Sequence, residues 1–245
     1  MTSVLLSSLK ERWWKRVVDM NLQCESINVE IKGLTPKEAI GEPQRDDFPL
    51  LKGKEFLIQA KIKESIGQAF TSTPSKYVGH LEEINRLNES QEQNRALIVA
   101  TINATYRYIG LLHDTVHCKD EGPELCAKRT LEHFKDNYKN LKIAVVGYQP
   151  AFVSSLSKHF DIRVADMDPE NIDKFKNGSL IESYKLNKEI IKKSDVVFMT
   201  GSTLVNSSID ELIGYSSGKE VILFGTTCAA LAYEFGFKRL CFQSS

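Results

Sequence analysis

Apolar runs that alternate with helical segments in the second half of the chain constrain its fold more than any other feature. Four of these runs cover residues 143–146, 162–165, 196–199 and 221–224, and a fifth covers 240–242. Strands that are apolar throughout and separated by helices are typical of a parallel sheet covered on both faces. We therefore predict an α/β protein in which residues 92–245 form a Rossmann-like domain with a mostly parallel sheet of about five strands.

The first part of the chain has a different pattern. Helical spacing predicts an amphipathic helix over residues 4–18, a polar helix over 77–92 and a nearly wholly apolar, buried helix over 94–112. Alternation predicts a small antiparallel sheet from three segments: 27–31, 56–62 and 66–70. Turn-forming residues over 33–49 predict a long loop, a kind of segment that is often functional. Residues 1–91 are accordingly expected to form a small α+β domain.

The composition restricts the class of partner. With 32 Lys or Arg and 32 Asp or Glu in 245 residues, the chain is formally neutral, which argues against a broad basic surface for nucleic acid. No apolar run approaches the roughly 20 residues of a membrane-spanning helix. The five cysteines are scattered, unlike a disulfide scaffold, so we expect a cytoplasmic protein. This composition is compatible with a small-molecule ligand. It does not decide whether the chain forms a homo-oligomer.

Small, polar or acidic residues follow the predicted strands. Ligands bind beyond the carboxyl ends of the strands in doubly wound sheets, so these residues are candidate ligand-binding residues: Gly147, Tyr148, Asp166, Asp168, Thr200, Gly201, Ser202 and Thr203. Asp166 follows Gly147 at nearly the spacing of an acidic residue that binds ribose. The glycines of a dinucleotide fingerprint are missing, which disfavours ordinary NAD binding. The alternative is that these residues are only loop ends of a stable sheet.

Histidines and cysteines concentrate after the apolar helix, between residues 113 and 133, where helical spacing after Pro123 predicts a further helix. The cluster contains His113, Asp114, His117, Cys118, Cys126 and His133. Imidazole and thiolate suit zinc and similar divalent ions, which makes His117 and Cys118 candidate metal ligands. The spacing from Cys118 to Cys126 is not that of a two-residue zinc knuckle. The alternative is a loop beside a helix, in which His117 contacts a backbone group and Cys126 is a small residue of the hydrophobic core.

Polar residues also occur at unusual places in the first half of the chain and in the apolar helix. Asn103 lies within the apolar helix, where a buried amide either fixes a neighbouring loop or faces a ligand. Lys54, Glu55, Gln68 and Thr71 lie beside glycines in the small sheet. They are either solvated strand residues or part of a site.

Several motifs together resemble a known family. They are Arg-Asp-Asp-Phe-Pro at 45–49, Lys-Gly-Lys-Glu at 52–55, Gly-Gln-Ala-Phe-Thr at 67–71, Asn-Ala at 103–104, Thr-Val-His-Cys at 115–118 and Val-Val-Gly-Tyr-Gln-Pro at 145–150. This order resembles the heavy-metal-chelation family of uncharacterised proteins over nearly the whole chain. The resemblance implies an enolase N-terminal-like domain, a Rossmann-like domain partly similar to methyltransferases, and a ligand site between them. It also implies condensation or hydrolysis of pterin-, flavin- or siderophore-like compounds.

The leading hypothesis is a small-molecule enzyme or chelator-handling protein with its site between the two halves. Lys54 and Glu55 would supply acid and base, and Asp166 or Asp168 would hold ligand hydroxyls. The matching motifs also favour Gln68, Thr71 and Asn103 as ligand-binding residues. One alternative is a non-catalytic metal-binding protein or metallochaperone that holds a divalent ion at His117 and Cys118. Another is a protein similar to S-adenosylmethionine-dependent methyltransferases.

Overall fold

The chain folds into two sheets with helices packed on them. The computed structural model describes residues 3–23 and 28–245, so Cys24 and Ile27 lie outside the described residues. The strands are β1 Asn28–Gly33, β2 Phe56–Ile62, β3 Ser65–Thr71, β4 Tyr77–His80, β5 Lys142–Val146, β6 Asp161–Asp166, β7 Lys174–Lys176, β8 Ser179–Ser183, β9 Val196–Thr200, β10 Glu220–Phe224 and β11 Lys238–Leu240. The helices are α1 Val4–Asp19, α2 Pro36–Ile40, α3 Leu81–Asn85, α4 Glu92–Tyr108, α5 Gly122–Asn137, α6 Pro150–Leu156, α7 Asn187–Lys192, α8 Ser202–Val205, α9 Ile209–Tyr215 and α10 Ala229–Phe235.

The smaller sheet has the strand order β3-β2-β1-β4 and is antiparallel throughout. The helix predicted over residues 77–92 is wrong at its start, because Tyr77–His80 is strand β4 and hydrogen-bonds to β1. Val78 is 74% exposed and none of the four residues is buried, which fits a strand at the edge of a sheet. Pairing with a distant strand is a tertiary contact that helical spacing alone does not report.

Helix α4 packs directly on the smaller sheet. All of its residues from Arg95 to Tyr106 are buried, which confirms the predicted apolar helix. Gly67 of β3 allows the close approach, since a Cβ at this position would lie 2.5 Å from the carbonyl oxygen of Ala100. One core joins α4 to both sheets, with Ala69 on one side and Val146 and Met199 on the other.

The larger sheet has seven strands within the described ranges, in the order β11-β10-β9-β5-β6-β8-β7. Neighbouring strands are parallel except for β7, which pairs antiparallel with β8. The α/β class and the mostly parallel sheet are confirmed, whereas the expected number of about five strands was too low. The β7–β8 hairpin was missed because its strands are short and carry exposed side chains, with Phe175 75% exposed. The last strand also ends at Leu240, before most of the predicted 240–242 run.

The order of the parallel strands determines where a ligand can bind. The chain continues from β5 to β6 on one side and later places β9 on the other side of β5. A crevice forms beyond the carboxyl ends of the strands where the order reverses in this way.

Within the described residues, no helix combines the length and apolar composition needed to cross a membrane.

Candidate functional site

A cleft of about 740 Å³ opens at the carboxyl ends of β5, β6, β9 and β10, and the loop before β2 forms part of its wall. This volume is within the range of small-molecule sites. Most of the candidate residues line it: Lys54, Glu55, Thr71, His117, Cys118, Gly147, Tyr148, Asp166, Asp168, Thr200, Gly201, Ser202 and Thr203. The cleft therefore collects residues from both halves of the chain.

Gln68 and Asn103 do not line this cleft, and their polar atoms are occupied behind its wall. Asn103 Nδ2 donates to the carbonyl oxygen of Gln68 at 3.0 Å and to those of the Thr226–Thr227 loop, while its Oδ1 accepts from the Ala230 amide. Gln68 Oε1 accepts from the His117 amide at 2.7 Å. Both amides connect β3 to segments that form the cleft, which is a positioning role.

Glu55 lies in a carboxylate-rich corner of the cleft. Burial, together with the nearby charges of Asp166 and Asp168, raises the pKa of Glu55 to about 7. Among the described residues, none donates a hydrogen bond to its carboxyl group. Lys54 beside it is exposed, and its Nζ lies 2.6 Å from Glu170 Oε1. A carboxyl group with a pKa near neutrality can both accept and donate a proton.

The carboxylate of Asp166 accepts hydrogen bonds from the turn after β5 and from the loop that follows Asp166 itself. Its Oδ2 accepts from the Tyr148 amide at 2.7 Å, and its Oδ1 accepts from the Asp168 amide at 2.8 Å and from Asn171 Nδ2 at 3.2 Å. Burial raises the pKa of Asp166, and these three donors oppose the rise. The amide of Tyr148, which follows the first strand of the parallel sheet, is therefore bonded to a carboxylate.

The turn after β9 supplies hydroxyl groups to the cleft. Thr200 Oγ1 and Ser202 Oγ are 2.8 Å apart, and Thr203 Oγ1 donates to the Thr200 carbonyl oxygen at 2.7 Å. Gly147 faces this turn with a φ of +92°, and a Cβ there would lie 2.6 Å from Thr200 Cγ2. A glycine is thus required both for the backbone conformation and for the close packing of the two turns.

Aromatic side chains supply the apolar part of the lining. Phe70, Phe152 and Phe224 line the cleft, and the rings of the last two are 5.1 Å apart. His117 contacts Phe70 edge to face at 5.2 Å. Its Nδ1 lies 3.2 Å from the Ala39 carbonyl oxygen, which can only accept, so the hydrogen is on Nδ1. Burial lowers the pKa of His117 to about 4, and the ring is neutral at pH 7.

A polar network that the sequence did not reveal holds the loop before β2 against the larger sheet. Arg45 pairs with Asp47 through two hydrogen bonds of 2.8 and 2.7 Å, and its Nη2 also donates to Asn177 Oδ1. Asn177 Nδ2 donates to the Tyr148 hydroxyl at 2.5 Å. Arg45 and Asp47 belong to the Arg-Asp-Asp-Phe-Pro motif, so the family resemblance could have pointed to them. No sequence feature pointed to Asn177, because it lies in the β7–β8 turn, which was not predicted.

Comparisons with known proteins place the chain in a family. The uncharacterized protein MJ0500 of Methanocaldococcus jannaschii is 30% identical over 190 residues, which is 71% of this chain and 67% of that protein. A family model, DUF364, described as "Putative heavy-metal chelation", matches residues 130–240. The chain belongs to the DUF364 family. The resemblance of the motifs is thereby confirmed.

Two DUF364 crystal structures of unknown function share the fold. The protein from Pyrococcus horikoshii aligns with a TM-score of 0.57 and 16% identity, covering 91% of this chain and 80% of its own. The protein from Desulfitobacterium hafniense aligns with a TM-score of 0.55 and 16% identity, covering 93% of this chain and 85% of its own. At this identity, the likeness supports the fold and not a shared reaction.

The description of the DUF364 family raises the question of a metal site. Within residues 3–23 and 28–245, no three His, Cys, Asp or Glu side chains are arranged so that they could hold a metal ion. Burial raises the pKa of Cys118 to about 12, so without a bound metal ion this side chain is a thiol at pH 7. The described residues therefore do not fit a resident metal centre.

Proposed function

We propose that the chain is an enzyme that binds a small organic molecule in the cleft and uses Glu55 to transfer a proton during condensation or hydrolysis. The observation that carries this proposal is the carboxyl group of Glu55, which lines the cleft, has no hydrogen-bond donor among the described residues and has a pKa of about 7. General acid–base catalysis is most effective when the pKa of the group is near the working pH. Perturbed carboxyl groups in clefts are also enriched at functional sites.

The lining supports a ligand with a ring or another apolar body. Phe70, Phe152 and Phe224 offer apolar surface, while the hydroxyl groups of Thr200 and Ser202 offer polar contacts at the other strand ends. A mostly apolar pocket with a few polar groups is typical of small-molecule sites. The pterin-, flavin- or siderophore-like compounds that the family resemblance suggests contain such rings.

The neighbours of Glu55 have distinct roles in this proposal. Lys54 is held by Glu170 at the mouth of the cleft, where it can attract an anionic ligand. Asp166 positions the Tyr148 amide and the turn after β6, and Asp168 keeps negative charge near Glu55. A second cavity of about 490 Å³ also reaches Glu55.

The two other hypotheses have less support. A metal-binding or metallochaperone role needs a set of donors that the described residues do not form. A role similar to that of methyltransferases needs an acidic residue free for a ribose, and the carboxylate of Asp166 is occupied by three donors. The observations therefore favour proton transfer by Glu55 over both of these roles.

A binding and turnover experiment tests the proposal. The probes are pterin-6-carboxylate, flavin mononucleotide and 2,3-dihydroxybenzoate with its amides and esters, applied to the wild type, Glu55→Gln and Glu64→Gln. Glu64 is exposed in the β2–β3 turn and is the matched control. At least one probe is expected to raise the melting temperature by mass action. For a probe that is turned over, Glu55→Gln should lower kcat about 100-fold or more and remove the inflection near pH 7.

Two results would contradict the proposal. One is the absence of any thermal shift at millimolar concentrations of all probes. The other is a Glu55→Gln variant that turns over a probe with the rate and pH profile of the wild type. Glu64→Gln should match the wild type in both assays.

A further inference from the structure

The imidazole of His117 has one nitrogen bonded to the protein and one that receives no hydrogen bond from a described residue. Nδ1 donates to the Ala39 carbonyl oxygen at 3.2 Å, so the neutral ring has no hydrogen on Nε2. Within residues 3–23 and 28–245, no group donates to Nε2, and this atom is not among the enclosed polar atoms that lack a partner. Because His117 lines the cleft, Nε2 is the ring atom that can accept a hydrogen bond from a ligand.

The backbone that carries this imidazole is held by strand β3. Gln68 Oε1 accepts from the His117 amide at 2.7 Å, and the Gln68 amide donates to the Thr115 carbonyl oxygen at 3.2 Å. The Thr115 hydroxyl donates in turn to the Ile66 carbonyl oxygen at 2.5 Å. Gln68 and Thr115 are both buried. The imidazole is therefore positioned before a ligand arrives, which reduces the entropic cost of binding.

The surroundings of the imidazole favour an uncharged donor. Phe70 meets the ring edge to face at 5.2 Å, and Ala39 belongs to an apolar cluster whose members Ile40 and Phe48 also line the cleft. Burial lowers the pKa of His117 to about 4, which keeps the ring neutral at pH 7. A neutral imidazole offers an ammonium group no countercharge in return for its lost hydration. An uncharged N–H on an aromatic ring, in contrast, brings an apolar body that matches these side chains.

We propose that His117 Nε2 accepts a hydrogen bond from an uncharged ring N–H of the ligand, so that the cleft selects planar heterocycles with such an N–H over their N-methylated forms. This inference rests on the proposed function, because it concerns the ligand of the same cleft. It assigns His117 to binding and not to proton transfer. A site that hydrogen-bonds a substrate N–H rejects an analogue without it, because the acceptor then stays unpaired.

Lumiflavin and 3-methyllumiflavin test this selectivity. Lumiflavin is planar, is uncharged at pH 7 and has a single N–H, which the 3-methyl compound lacks. Fluorescence titration at pH 7, with EDTA present to exclude a bridging metal ion, should give a dissociation constant at least about 10-fold lower for lumiflavin. Equal dissociation constants for the two compounds would overturn the inference, as would a preference that appears only without EDTA.

Two substitutions separate the roles of the two ring nitrogens. In His117→Asn, the amide can keep the donor to the Ala39 carbonyl oxygen but has no atom at the position of Nε2, so the preference for lumiflavin should disappear. In His117→Gln, the longer side chain brings an amide oxygen near that position, so part of the preference should return. His113→Asn is the matched control, since His113 is exposed and lies outside the cleft lining. A His117→Asn variant with the wild-type preference would overturn the assignment.

Nuclear magnetic resonance of the wild type with isotope-labelled histidine tests the same hydrogen bond without a substitution. At pH 7, the His117 signals should show a hydrogen on Nδ1 and none on Nε2. Saturating lumiflavin should shift the Nε2 resonance far more than saturating 3-methyllumiflavin does. A hydrogen on Nε2 in the free protein, or equal shifts with the two compounds, would overturn the inference.

The Glu55→Gln variant distinguishes failure of this inference from failure of the proposed function. It should keep the preference for lumiflavin, because the hydrogen bond to His117 does not require Glu55. Wild-type turnover by Glu55→Gln, together with a preference that His117→Asn loses, would remove the proposed proton transfer and leave this inference standing. Binding of neither flavin compound to the wild type would overturn this inference, while the other probes still decide on the role of Glu55.

Discussion

Replacing Glu55 by Gln should stabilise the protein at alkaline pH and leave its stability unchanged at pH 4.5. The folded state raises the pKa of Glu55 from 4.5 to about 7, so it binds the proton more tightly than the unfolded chain does. Below pH 4.5 both states are protonated and no penalty exists. Between pH 4.5 and 7 the unfolded chain loses the proton while the folded state keeps it, so stability falls, and above pH 7 both states carry the charge and the penalty is constant. At about 1.4 kcal/mol per pKa unit, the penalty is about 3 kcal/mol.

Urea unfolding followed by circular dichroism, at pH 4.5 and at pH 8, measures this effect. Glu55→Gln should exceed the wild type by up to about 3 kcal/mol at pH 8, with an unchanged m value. Glu170→Gln is the control, because pairing with Lys54 lowers the pKa of Glu170 and its replacement should bring no gain at pH 8. An equal difference between Glu55→Gln and the wild type at both pH values, or a less stable variant at pH 8, would refute the reasoning. Catalytic groups held in unfavourable surroundings commonly show this trade-off.

Three further changes test how the cleft is held. Gly67→Ala should lower the melting temperature by several degrees, because the new Cβ would meet the α4 backbone, whereas Gly214→Ala, in an open helical position, should be neutral or stabilising when both are measured by calorimetry. Asn103→Ala should cost about 2–4 kcal/mol in urea unfolding, since it leaves several buried backbone groups unpaired; a loss within the range of the exposed Asn137→Ala would contradict this. Arg45→Ala should increase protease cleavage within residues 41–55 with little change in the global unfolding free energy, and unchanged cleavage would argue against its role in holding that loop.

Most of the larger sheet could be predicted because its central strands are buried on both faces. Residues 143–146 and 196–199 are apolar throughout and are strands in the structure, since only such residues satisfy a position covered by helices on either side. The hairpin of β7 and β8 lies at the sheet edge, where Phe175 and Leu180 are exposed and no such constraint acts. Strand β4 was predicted as a helix for a related reason, because its formation depends on pairing with β1.

The candidate site was predicted where backbone topology determines it. The carboxyl ends of parallel strands meet at one edge, so Asp166, Thr200 and Gly201 were placed together by their positions after strands. The contribution of Cys241 could not be predicted, because it depends on the pairing of residues near 116 with the last residues of the chain. The same holds for Asn177, which reaches the cleft wall from the turn of an edge hairpin.

Asp166 shows that spacing can place a residue at the cleft without revealing which groups it binds. The distance from Gly147 suggested a carboxylate that binds ribose, and the residue does lie at the cleft. Its oxygens instead accept the Tyr148 amide, from the turn after β5, and the Asp168 amide, from the loop after β6. With that amide bonded to a carboxylate, the turn has lost a donor that dinucleotide sites direct at phosphate. The acid–base chemistry that we propose therefore rests on Glu55, which is the carboxyl group of this corner that no described donor stabilises as an anion.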